Sequence, residues 1–282
     1  MPSNAFKYFV FDVESVADGH LVSKLRYPGE NLDPAEAIGR FKAELIEKHG
    51  SDFVPYTYQI PVSVVVAKIT SDYHLADIAV LDDDQFRPHV ITRHFWQGWE
   101  GYKCPTFVSF NGRTFDMPLL ELAAFRYGIS IPKWYALSAR TYDQPRNRYN
   151  LGSHLDLHDV LTNFGASRFH GGLNLAANLL GKPGKMDVQG DMVQEMYDAG
   201  RLVEINDYCR CDVLDTYFVF LRSQVLVGNL TLDEEQAIIS QTKTWLIERS
   251  GQVTVYQRYL EQWGDWHNPW QAGEAQTSNT GS

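Results

Sequence analysis

The chain has 282 residues, 44% hydrophobic and 13% aromatic, enough to bury a core as one large domain or one domain with an appendage. A formal net charge of −10 opposes a broadly basic nucleic-acid-coating surface, but leaves room for an enzyme that grips a strand end through a local basic patch. Three cysteines argue against a disulfide framework, no apolar run reaches bilayer-spanning length and Met1 to Lys7 lack a secretory pattern, so a cytoplasmic location is expected.

Phe6 to Val13 is β-branched and aromatic without Gly or Pro, which reads as a buried strand. Asp12 and Glu14 sit near its C-terminal end; residues i and i+2 share a strand face, so both carboxylates point the same way. Asp33-Pro34 opens a helix that runs through His49 and closes at Gly50. Tyr58 to Thr70 and Tyr73 to Leu81, split by Ser71-Asp72, read as an antiparallel hairpin that extends the first strand into a three-strand meander. A helix over His89 to Trp99 follows, then a short strand over Thr106 to Phe110 and a helix from Asp116 to Tyr127 ended by Gly128. Asp116 therefore starts a helix directly after a strand. Beyond a short strand at His154 to Leu157 the chain turns helical: Leu173 to Leu180, Val188 to Ala199, and about Arg201 to Val227. Tyr208 and Asp212 are four apart on that last helix and share a face. Thr231 with Glu234 forms a capping-box pattern for a helix to Ser250. The expected division is a main domain over 1–228, a helical appendage over 229–270, and a disordered tail over 271–282. Strands, then alternating helix and strand, then helices predict an α/β fold: a mixed sheet of three antiparallel strands plus parallel strands, flanked by helices.

Three short pieces carry the chemistry: Phe11-Asp12-Val13-Glu14, Asn111-Gly112-Arg113-Thr114-Phe115-Asp116, and Tyr208-Cys209-Arg210-Cys211-Asp212. In-line hydrolysis of a phosphodiester needs an activated water, neutralised phosphoryl oxygens and a stabilised leaving oxygen; two divalent cations roughly 4 Å apart supply all three. Hard cations such as Mg²⁺ or Mn²⁺ take oxygen ligands, which suits Asp12, Glu14, Asp116 and Asp212. Left without cations, four acids so close repel and raise each other's pKa values. Tyr208, one turn before Asp212, is a poor ligand while its phenol is neutral, but its hydroxyl can aim the attacking water.

These motifs resemble the Asp-x-Glu, Asn-x-x-x-Phe-Asp and Tyr-x-x-x-Asp of the DEDD superfamily of 3′–5′ exonucleases, in its tyrosine-bearing subclass, on an RNase H-like fold. Phe-Asp-Val-Glu-Ser and Phe-Asn-Gly-Arg-Thr-Phe-Asp-Met-Pro are most similar to the proofreading exonuclease domains of family B DNA polymerases and their stand-alone relatives, over roughly Phe6 to Gly228. The resemblance implies that Asp12, Glu14 and Asp212 hold the tighter metal, that Asp12 bridges to a second partly held through water by Asp116, and that Tyr208 orients the nucleophile. It further implies that Asn111 and Phe115 shape the cleft, that Ser15 lies beside the 3′ end, and that 5′-mononucleotides leave a single-stranded end, DNA before RNA. Too few residues follow Gly228 for a polymerase, so proofreading in cis is not expected. The stretch Gly19 to Tyr56 exceeds what a hairpin needs, and its helix is a candidate lid or partner surface.

Cys209 and Cys211 point about 200° apart on a helix with no second pair, so they read as core residues rather than a zinc site. His154 and His158 with Asp156 and Asp159 suggest a second metal cluster less well than they suggest Asp156 as a support residue. Arg140, Arg146, Arg148, Arg168, Lys182 and Lys185 form the densest basic candidate, read equally as a nucleic-acid patch or a solvated basic face, and Lys185 in its Gly/Pro-rich loop reads equally as a phosphate contact or an ordinary loop lysine. Trp134 and Tyr135 are candidates to stack on unpaired bases, with packing in the core expected for one of the two. Two rivals stand beside the exonuclease reading: an exoribonuclease on the same scaffold, and a non-catalytic nucleic-acid-binding module.

Overall fold

A computed structural model describes residues 6–185, 192–264 and 266–270. Its elements in chain order are β1 (Tyr8–Ala17), α1 (Gly19–Arg26), α2 (Pro34–His49), β2 (Gln59–Ile69), β3 (Leu75–Val80), α3 (Pro88–Gly101), β4 (Thr106–Ser109), α4 (Asp116–Tyr127), α5 (Pro132–Tyr135), β5 (His154–Asp156) and α6 (Leu157–Thr162). After these come α7 (Gly172–Asn178), α8 (Val193–Asp198), α9 (Leu202–Leu226), α10 (Leu232–Arg249) and α11 (Thr254–Glu261). The five strands form one sheet in the order β3-β2-β1-β4-β5. The first three are antiparallel, and β4 and β5 run parallel to β1, giving the expected RNase H-like mixed sheet flanked by helices.

The central strand explains how the sheet acquires two unlike faces. Phe9, Phe11 and Val13 alternate onto one side, where they pack with Phe95, Trp96 and Trp99 of α3, Leu120 of α4 and Trp134 of α5. Val10 faces the other side and joins Leu214, Tyr217 and Phe218 of α9. Asp12 and Glu14 continue the face of Val10, so the same alternation that buries the aromatics aims both acids toward α9. Helices α10 and α11 pack against α9 in that cluster through Ile238, Leu246, Tyr256 and Tyr259.

Local signals hold at most boundaries. Asp33 caps α2 by accepting from the Ala35 amide, and Gly50 ends it in the left-handed region at φ +72°. The Thr231/Glu234 capping box is formed at α10. Three boundaries differ from the sequence expectation. Strand β1 runs on to Ala17, because an irregularity in its pairing with β2 between Glu14 and Ser15 lets it bend and continue opposite Pro61. The stretch 19–56 holds two helices rather than one; α1 has eight residues, too few for periodicity to reveal, and is started by Asp18, which accepts from the Leu21 amide. The expected Val188 to Ala199 helix is present as α8 from Val193, while 186–191 and the tail over 271–282 lie outside the described residues.

Phe107 of β4 is wholly buried, stacked on Phe95 at 5.0 Å and Trp99 at 5.3 Å. Phe107→Ala is expected to cost about 3–5 kcal/mol in urea unfolding, and Phe107→Leu less than half of that. Equal small losses would show that this layer does not carry the sheet.

Candidate active site

Pairing between β1 and β4 stops at Val10 and Val108, so β1 projects beyond its parallel neighbour and carries Asp12 and Glu14 past the end of the ladder. The crevice opens at the carboxyl ends of the parallel strands, the usual ligand position in such sheets. The chain leaves β4 through Phe110, turns at Asn111 with φ +63°, and enters α4 at Asp116. Asp156, at the end of β5, accepts hydrogen bonds from the amides of Asn111 and Arg113, both at 2.8 Å, and so fixes this loop. That is the support role expected of it. A Cβ on Gly112 would lie 2.7 Å from the Asp116 Oδ2 and 2.6 Å from the Ser109 Oγ, so glycine alone lets the loop pass this close to the acid.

Helix α9 supplies the other side. Cys209 lies with its Sγ 3.4 Å from the Asp12 carbonyl oxygen and 3.5 Å from its Oδ2. Among the described residues, potential ligand atoms of Asp12, Glu14 and Cys209 lie within 4.8 Å of one another. Asp116 and Asp212 join this group through their charges. Burial, partly offset by hydrogen bonds from the Cys209 thiol and the Val13 amide, raises Asp12 to about 6. Burial also raises Glu14 well above the usual range, reinforced by the charges of Asp12, Asp212 and Asp116 and eased by Lys185. Asp116 is raised by burial and by Asp12, Asp156 and Asp212; Asp212 by burial, Asp12 and Asp215, eased by the Tyr208 hydroxyl and Lys185. The Tyr208 phenol is itself pushed upward by burial and by Asp212, Glu14 and Asp12, so it stays protonated.

Two cavities adjoin the acids. One, of about 430 Å³, is lined by Glu14, Ser15, Phe53, Phe115, Lys185 and Gln194 among others. The second, of about 410 Å³, is lined by Asp12, Asn111, His158, Asn174, Lys185, Asp212 and Asp215 among others. Of the expected site residues, Glu14, Ser15, Phe115 and Lys185 line the first cavity and Asp12, Asn111, Lys185 and Asp212 the second, while Asp116 and Tyr208 line neither and are tied to these acids by charge and, for Tyr208, by its hydrogen bond to Asp212. Ser15 differs in one respect: its hydroxyl donates to the Gln59 Oε1, so it is already engaged within the protein.

Three of the six basic candidates, Arg146, Arg148 and Lys182, are engaged within the protein. Arg146 donates twice to Glu121, and Arg148 faces Asp159 at 3.8 Å. Lys182 is 4% exposed, packed over Phe218 and Trp263, and lowered by burial to about 8. Lys185 lines both cavities. Trp134 is buried with its indole donating to Glu121, while Tyr135 lies under Arg146. Cys209 and Cys211 are buried, as expected, yet the first touches Asp12. Residues that sequence reasoning passed over are Gly112, Arg113, Phe53 and Asp215. Arg113 has its Nε 3.1 Å from Asp159 and donates through Nη2 to the His154 carbonyl. Asp215 accepts from the Tyr259 hydroxyl at 2.6 Å and is raised by burial to about 7. It lies three residues after Asp212 on one helix face, a spacing that could have marked it.

An RNase H-like sheet with acids gathered at the carboxyl ends of its parallel strands defines the class. A family described as a predicted 3′–5′ exonuclease related to the exonuclease domain of PolB matches residues 51–263, and the chain belongs to that family. No curated protein matches the chain. Among the described residues no helix is long and apolar enough to cross a membrane.

The donor set fits hard divalent cations: several carboxylates with little opposing positive charge, and a thiol whose pKa is raised by burial and then by the acids, so that it stays protonated. Because these acids hold protons more tightly in the folded chain than in the unfolded one, the metal-free fold binds more protons above about pH 4, and its stability falls as pH rises through the raised values. The melting temperature without divalent cations is therefore expected to drop from about pH 5 to about pH 8, and millimolar Mn²⁺ to reverse the drop. The Asp12→Asn/Asp212→Asn double variant should melt higher than wild type at the upper pH and respond less to Mn²⁺. A wild-type melting temperature indifferent to both pH and Mn²⁺ would contradict the electrostatics described. Gly112→Ala, by pressing on buried Ser109 and on the Asp116 carboxylate, is expected to lower the metal-free melting temperature and to weaken the Mn²⁺ response.

Proposed function

We propose that the chain is a metal-dependent 3′–5′ exonuclease that removes 5′-mononucleotides from a single-stranded DNA end in a reducing, cytoplasmic setting. The observation that carries this reading is the group of Asp12, Glu14, Asp116 and Asp212, each held above its ordinary pKa, with Glu14 lining one cavity and Asp12 and Asp212 the other, and Lys185 lining both. Membership of the exonuclease family supports it.

Asp12, Glu14 and Asp212 would hold one cation, and Asp12 with Asp116 a second. When bound, the pair supplies a lowered water pKa and neutralises charge on the phosphoryl and leaving oxygens. The rest is work for the chain's own groups. Tyr208, kept protonated, holds the attacking water through its hydroxyl rather than taking its proton. Lys185 offers positive charge to the scissile phosphate from the loop between the cavities. Asn111 and Phe115 lie at the walls where terminal nucleotides would rest, and Ser15 holds Gln59 at the floor.

A time course on a 5′-labelled single strand tests this. With Mg²⁺ or Mn²⁺ a ladder descending one nucleotide at a time from the 3′ end is expected, with EDTA none; a matched RNA strand should be cut more slowly. Asp12→Ala and Asp212→Ala should each lower the rate roughly 10³-fold or more, while Tyr208→Phe keeps a remnant, roughly 10–100-fold below wild type. Internal cleavage, or a ladder unaffected by all three substitutions, would overturn the assignment. Faster digestion of RNA would reassign the substrate.

A further inference from the structure

We infer that Phe53, from the segment between α2 and β2, stacks with Phe115 against the base of the strand's last nucleotide, making the 430 Å³ cavity a base-binding subsite that sets the rate at each end. The inference rests on the exonuclease reading and adds a residue outside the three acidic motifs.

Phe53 is 60% exposed, although the next residue, Val54, is buried in the small cluster formed by α1, α2 and Tyr58. Its ring meets that of Phe115 at 5.6 Å, tilted by 54°, leaving ring surface toward the cavity. The segment is tied on both sides rather than loose. The Val54 carbonyl accepts from the Gln59 side-chain amide, and Gln59 in turn accepts from Ser15, one residue beyond Glu14. On the other side, Lys42 of α2 reaches Asp52 at 3.8 Å. A short chain of contacts thus connects the strand irregularity beside Glu14 to the backbone that carries the exposed ring, and the Phe115 contact is what holds the ring itself. The same cavity has Glu14 at one wall, the Lys42–Asp52 pair at another and Lys185 at a third, so it adjoins the acid cluster and offers Lys185 to a phosphate. An unpaired base offers an apolar face to such a ring whatever its identity, which suits an enzyme that must accept every nucleotide in turn.

The test compares wild type, Phe53→Ala and Phe53→Tyr on two 5′-labelled strands that differ only in whether the last nucleotide carries its base, under the divalent-cation conditions above. Loss of base stacking typically corresponds to roughly 5–150-fold, so kcat/KM for Phe53→Ala on the intact end should fall by about tenfold or more. On the abasic end the loss should shrink to within about twofold, and Phe53→Tyr should recover most of the rate on the intact end. Phe53→Ala matching wild type on the intact end, or losing equally on both ends, would overturn the inference while leaving the exonuclease reading in place. A wild-type protein that degrades neither strand would instead remove the reading on which both rest. Melting curves for the three proteins separate a folding defect, which would lower both ends together, from the base-dependent loss.

Discussion

Mutual repulsion among carboxylates that are buried together is the constraint around which the rest of the molecule is organised. Asp12 and Glu14 face α9 from the central strand, Asp116 enters from the head of α4 and Asp212 from α9; burial raises each one, and the charges of neighbouring acids add to the effect at Glu14, Asp116 and Asp212, while hydrogen bonds ease Asp12. A fold could relieve this by opening to water or by placing arginines among the acids. Here the nearby Arg113 points instead to Asp159 and the His154 carbonyl, and Lys185 is the cation that eases Glu14 and Asp212. Such a pocket is costly unless something positive enters it, and under the proposed function that cost would give it affinity for cations and, through them, for phosphate.

The scaffold bears this cost by being stiff where the acids attach. An aromatic layer of Phe95, Trp96, Trp99, Phe107 and Trp134 backs one face of the sheet, and a long, mostly buried α9 covers the other. The loop to Asp116 has little freedom, since Asp156 takes two of its amides and Gly112 passes against the Asp116 carboxylate. The Asp156 carboxylate and the bare Cα of Gly112 therefore help to build the site beside the acids themselves.

Much of this was legible in the chain because it follows from short-range rules. Alternation along Phe9-Val10-Phe11-Asp12-Val13-Glu14 assigns both acids to one face, and the four-residue spacing of Tyr208 and Asp212 does the same on α9. Thr231 with Glu234, and Gly50 and Gly128 after their helices, marked boundaries through capping chemistry. What escaped depends on tertiary partners. Nothing in the sequence around Arg146, Arg148 or Lys182 says that Glu121, Asp159, Phe218 and Trp263 will engage them. Nothing in the sequence sets Phe53 apart until the fold leaves its ring in solvent beside Phe115, and the contact between Cys209 and Asp12 requires knowing how α9 crosses β1.

The central claim, that the acids are gathered to hold divalent cations, is tested most directly by diffraction from crystals soaked in Mn²⁺, with anomalous differences collected at the manganese edge. The account predicts peaks in contact with the carboxylates of Asp12, Glu14 and Asp212, with a second position reached by Asp116. Well-ordered crystals showing no manganese there, or showing it only elsewhere on the protein, would contradict it.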